Sequence, residues 1–148
     1  MPPAWLWSAA ANAWMGNGSR AIEEINTAMA LSPYDPLMYA YSSVAGMAYL
    51  ADGQYERAIE CHLRSLRENR TYTSAYRLLA IALVLAGRED EARALARRLL
   101  ELEPGLTVAG FRRRHPGSAS PHADLFCDAL ARAGVPLSAE NGALPTRE

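Results

Sequence analysis

The 148-residue chain contains no lysine. All fifteen basic residues are arginine, so every cation is a planar fork without a titratable amine, and Schiff-base or lysine-base chemistry is excluded. Cysteine is scarce. Cys61 and Cys127 are the only two; they make no disulfide framework and read as buried thiols of a reducing, cytoplasmic setting. An excess of positive charge is missing, since the net charge is -1, and with it the pull toward nucleic acid or anionic lipid. No apolar run approaches the ~20 residues that span a bilayer. The apolar start, Met1 to Trp7, has no basic residue before Arg20 and so lacks the positive n-region of a signal peptide. A Gly-rich phosphate loop, paired catalytic carboxylates and a Ser/His/Asp set are absent too. No enzyme activity and no cofactor are therefore expected.

What is present is a pattern written twice. Gly46, Tyr49, Gly53, Tyr55, Ala58 and Ile59 are followed 34 positions later by Ala80, Leu83, Gly87, Glu89, Ala92 and Arg93. The two copies, 39–72 and 73–106, tile without a gap. A weaker copy over about 2–35 holds Trp5, Ala9, Gly16, Ala21, Ile22, Ile25, Ala28 and Pro33. Ala21 precedes Ala58 by 37, so Pro36 to Met38 are an insertion between copies. A period in this range is the mark of stacked helical repeats, none of which could stand alone.

Each copy reads as two helices. In the second copy they are predicted over about 36–51 and 54–69, with Gly53 closing the first in the left-handed conformation. Asp35 is expected to cap the first, with Pro36 at its first position. The second helix has an apolar stripe of Tyr55, Ala58, Ile59, His62, Leu63 and Leu66, and an exposed Glu60–Arg64 pair. In the third copy Thr73 or Ser74 is expected to cap and Gly87 to turn. Ala58 and Ala92 are small because paired helices cross there. Beyond Leu106 the period fails. A short helix over 106–114 and a capping helix over 121–133 are expected to cover the open end, giving one domain over 1–136 with a capping region at 107–136. Residues 137–148 have little to bury and are expected to be disordered.

These residues resemble the tetratricopeptide repeat family. The likeness covers roughly 2–106 and departs where Arg70 replaces a closing proline and His62 an aromatic. It implies an all-α, right-handed α-solenoid of three helix-turn-helix repeats plus a C-terminal capping helix. The run from Ala28 to Pro36, together with the closing Ala-Leu-Ala-Arg-Ala-Gly-Val-Pro, is similar to arrays carried by bacterial class III adenylate cyclases and some transcriptional regulators, which implies a regulatory arm rather than cyclase activity.

In the family, the first helix of each pair lines a concave groove. Helical spacing gives Leu6, Ala10 and Trp14, then Ser43, Met47 and Leu50, then Arg77, Ile81 and Val84 as its candidates here; the alternative is that they pack against neighbouring helices. The carboxylate clamp of chaperone-binding members is missing, because Leu6, Ala10, Ser43, Met47, Arg77 and Ile81 stand at its places. An apolar groove with Arg77 as its fixed cation suits a helix or an extended hydrophobic segment of a protein partner. Cys61 and His62 are adjacent and point about 100° apart on a helix, so they form no nucleophile–base pair, and His62 reads as core. His115, His122, Asp124 and Cys127 lack the spacing of a zinc motif. Arg112 to Arg114 read as a solvated face or as partners for Glu101 or Glu103. The function expected is protein–protein interaction without catalysis. The competing readings are a regulatory arm separated from its effector and a self-associating unit, a homodimer through an N-terminal edge carrying Trp5 and Trp7.

Overall fold

Two of the helices are apolar almost all round, and that decides the layering. The segment Met38–Ala51 (α3) has no charged residue and Thr73–Leu85 (α5) has only Arg77. Eight residues of each are buried, as a helix without a polar face requires. Their partners Tyr55–Glu68 (α4) and Glu89–Leu102 (α6) are amphipathic, with buried faces built on Ala58, Ile59, His62 and Ser65 in α4 and on Ala92, Ala96 and Leu99 in α6. Inner helices are thus sandwiched, and outer helices face solvent on one side.

The computed structural model describes residues 8–12, 15, 17–114 and 122–139. In chain order, helical residues 8–12 (α1) and Gly18–Leu31 (α2) form the first pair, α3 and α4 the second, α5 and α6 the third. Val108–Arg114 (α7) and Ala123–Ala133 (α8) follow. The described residues contain no strand. Each helix packs on its sequence neighbour through α6, and α8 packs back chiefly on α5 and less on α6 and α7. The fold is the expected α-solenoid of three helix pairs with a terminal helix.

Local chemistry sets the joints. Gly53 and Gly87 turn the second and third pairs with φ of 80° and 82°, a region that costs other residues ~1–2 kcal/mol. Ala21, Ala58 and Ala92, the repeated small residue, are all fully buried. Gly46 is equally constrained: a Cβ there would lie 2.5 Å from Cε1 and 2.6 Å from Nε2 of His62. The imidazole therefore fills the space that glycine leaves between α3 and α4. One turn away Ser65 Oγ donates to the Tyr39 carbonyl at 2.7 Å across the same pair.

Three local expectations differ from the structure. The helix after Pro36 begins at Met38, not at 36, because the Asp35 carboxylate accepts from the Leu37 N–H at 2.8 Å and the Tyr41 hydroxyl at 3.0 Å. That Asx-type turn occupies the inserted residues instead of lengthening the helix. Neither Thr73 nor Ser74 caps α5. Tyr72 takes the N-cap position with no side-chain hydrogen bond, and Thr73 is already helical. At the far end, Leu137 is not idle. The Val108 and Ala109 N–H groups donate to the Pro136 and Leu137 carbonyls at 2.8 and 3.0 Å, capping α7 from the segment after α8. Residues 140–148 lie outside the described residues.

Candidate functional site

The inner helices were expected to supply a groove, and the structure reassigns which of their residues meet solvent. On α3, Ser43 and Leu50 are buried at 2 % exposure and Met47 at 7 %. Half-buried on this helix are Met38, Tyr39, Ala40, Val44, Tyr49 and Ala51, of which Ala40, Val44 and Ala51 share one face with Met47 at its edge by helical spacing. The accessible stripe is thus rotated by about one residue from Ser43–Met47–Leu50. A helix without a charged residue, whose two serines are themselves buried, gives little periodic cue to its own phase, which accounts for the shift.

On α5 the equivalent face is closed. Ile81 and Val84 are buried, as is Leu78, and they share a core cluster with Phe126, Cys127, Ala129 and Leu130 of α8. Arg77 is no loose cation. Its guanidinium donates to Glu103 Oε1 at 2.7 Å, with side chains only 15 % and 21 % exposed, and Arg114 holds the other Glu103 oxygen at 3.1 Å. The ion pair ties the start of α5 to the end of the third repeat. Ala10 of α1 is half-buried. Leu6 and Trp14, like Trp5 and Trp7 of the proposed self-association edge, lie outside the described residues.

The first pair is held by buried Ala9, Ile25, Ala28, Tyr41, Ala45 and Cys61. Ser8 and Asn12 both donate to the Glu24 carboxylate. The outer charges form a connected surface. Arg88 bridges Glu56 at 3.0 Å and Glu91 at 2.8 Å, and Arg132 of α8 reaches Glu89 of α6 at 2.9 Å. The expected Glu60–Arg64 pair is not formed, in keeping with the small energy of exposed pairs. Of the arginine run, Arg114 does pair with Glu103, while Arg112 pairs with Asp124 at 2.5 Å. Glu101 pairs with Arg98 instead.

His62 is a core residue, fully buried, and neither ring nitrogen has a hydrogen-bond partner; nor does the buried Ser42 Oγ. Burial alone pushes its pKa down to about 3, so it is neutral across the physiological range. His122 stacks on Phe126 with ring centroids 5.5 Å apart, and burial lowers its pKa too. His115 lies outside the described residues, among which no cluster of three or more His, Cys, Asp or Glu could hold a metal ion. Nor is any described helix long and apolar enough to cross a membrane.

Sequence reasoning missed two clefts on the outer side of the stack, each formed where successive outer helices flank an inner one. The first, about 380 Å³, lies among α2, α3 and α4; the second, about 460 Å³, lies among α4, α5 and α6. The 34-residue period could have revealed them, since it places Tyr49 and Leu83, Arg57 and Glu91, and Arg64 and Arg98 at matching positions.

Comparisons agree with this architecture. Residues 49–114 match the family model described as tetratricopeptide repeat. No curated protein is a match. Among solved structures, the chain is similar to the second TPR domain of the human RPAP3 protein, determined by NMR in complex with the HSP70 peptide SGPTIEEVD. The TM-score is 0.55 at 22% identity, covering 78% of this chain and 82% of that one. The likeness of residues 28–36 to cyclase-linked arrays has no counterpart in these matches. A family match from the end of α3 through α7 and a shared arrangement of helices together make this fold a tetratricopeptide-repeat-like α-solenoid.

Proposed function

We propose that the chain is a non-catalytic interaction scaffold that receives a helix or extended apolar segment of a protein partner on its inner face. One observation carries the reading. The α3 stripe of Ala40, Val44 and Ala51 is uncharged and incompletely covered, although α3 is otherwise among the most buried helices in the chain. Small side chains on such a stripe let another backbone approach closely, and the contact would bury apolar area from both partners. The peptide bound by the RPAP3 domain supports the general role, because it shows a domain of this fold holding a linear segment. The ligand differs in kind here: Ser43 and Met47 stand where a carboxylate clamp would need donors, and Arg77 is committed to Glu103. The proposed contact surface is the α3 stripe with Met47 at its edge.

The test is partner capture from the native cell by wild type and by the double variant Ala40→Arg and Ala51→Arg. Both positions are already partly exposed, so helicity, followed by circular dichroism, should be unchanged while capture is lost. Capture that survives in a folded double variant would place the contact elsewhere.

A further inference from the structure

The two outer clefts are built alike, and each lining carries one net positive charge, but their cations are paired differently. In the cleft among α4, α5 and α6 the cations are already satisfied: Arg88 by Glu56 and Glu91, and Arg98 by Glu101 at 3.1 Å. In the cleft among α2, α3 and α4, Glu91 is replaced by Arg57 at the matching position, and Arg64 stands where Arg98 does. Neither Arg57 nor Arg64 has a carboxylate within ion-pair distance among the described residues. Glu60 lines the same cleft but pairs with neither, so both guanidinium groups are left without an ion-pair partner.

The geometry suits a particular ligand. Arg57 lies over the Tyr49 ring, 5.7 Å from its centroid. That cation–π contact leaves the guanidinium without a carboxylate partner, so its N–H groups can take one. Arg64 is two helical turns along the same face of α4, about 10 Å away. Asn26 and Met29 of α2 form the opposite wall, with Tyr49 and Cys61 between. The thiol pKa registers both cations: burial raises it, and Arg64 and Arg57 each pull it back.

We propose that the α2–α3–α4 cleft is a second docking site, which binds an acidic peptide segment of a partner protein in extended form. Arg57 and Arg64 grip two carboxylates four positions apart, which share one face of an extended segment, with the flexible arginine stems spanning the difference from their own ~10 Å spacing. The apolar parts of Met29 and Tyr49 receive the side chain between them. This site is on the opposite side of α3 from the proposed inner-face contact and does not depend on it.

The probe is a fluorescein-labelled octapeptide carrying two glutamates four positions apart, followed by fluorescence polarisation at low and high salt. Wild type should bind it, more weakly as salt rises, and should bind the glutamine version about tenfold less tightly. The variant Arg57→Gln with Arg64→Gln should lose about tenfold or more in affinity with its circular dichroism unchanged, since both side chains are exposed. Tyr49→Leu, which installs the residue found at the matching position of the other cleft, should weaken binding by a smaller factor. Arg98→Gln and Ala40→Arg should bind as wild type does. The proposal is overturned if wild type fails to bind at millimolar peptide, or if the double arginine variant binds equally well. It is also overturned if Arg98→Gln weakens binding as much, which would mean diffuse attraction, or if the cleft proves to be filled by a second copy of the chain, seen as self-association abolished by the double variant.

Discussion

Replacing His62 should flatten the acid side of the stability curve. The ring is wholly buried with both nitrogens unpartnered, and its pKa falls from 6.5 to about 3 in the folded chain. The unfolded chain therefore binds the proton first. Stability contributed by this group is complete above pH ~6.5 and declines as pH falls, until the folded ring titrates near pH 3. At 1.36 kcal/mol per unit the full loss is about 5 kcal/mol, and about 2 kcal/mol of it has accrued by pH 5. For a chain of this size that is roughly 5–10 °C in Tm. The measurement is urea denaturation of wild type and His62→Leu at pH 7.5 and pH 5. Wild type should lose about 2 kcal/mol more than the variant over this interval. Carboxylates and His122 titrate in both proteins, so the difference isolates the one ring. Parallel losses in the two proteins, or an imidazole seen by NMR to take up its proton near pH 6.5 while folded, would refute the reasoning.

Further outcomes follow from the same contacts. Gly46→Ala should destabilise by about 1–3 kcal/mol despite alanine's better helix propensity, because the new Cβ meets the His62 ring at 2.5 Å; thermal unfolding should show the same change to be harmless in a His62→Ala background. Glu103→Ala should cost about 1–3 kcal/mol in urea titrations, since it strands Arg77 and Arg114 together, whereas Glu101→Ala, which frees one exposed arginine, should fall within experimental error. Gly87→Ala should lower stability by about 1 kcal/mol through its φ of 82° without altering helix content by circular dichroism.

The helix pairs, their glycine turns and the small residues at their crossings were legible because each rests on a steric requirement that recurs every 34 residues. Ala58, Ala92, Gly53 and Gly87 could be read from spacing alone, and His62 from its place on the apolar stripe of α4. The accessible face was not legible to the same degree. No residue of α3 is charged and its two serines are buried, so polarity does not track burial there, and Ser43 or Leu50 looked as exposed as Ala40 or Ala51. The run of small side chains at 40 and 51 was the available signal. Contacts made across the chain were also hidden: nothing local to Ile81 and Val84 announces that α8 covers them, or to Arg77 that Glu103 claims it. Asp35 reads as the helix cap, but the N-cap falls two positions later at Leu37, and the Asp35 carboxylate accepts instead from the Leu37 N–H and the Tyr41 hydroxyl.

The placement of α8 bears on how long such an array can be made. By lying along α5, with Arg132 anchored at the start of α6, it takes the seat that the inner helix of a following unit would need. Copies of the 34-residue module could therefore be spliced in ahead of residue 107, each inheriting its neighbour's crossing and passing the seat along. Fused directly after α8, the same module would meet a surface already spoken for.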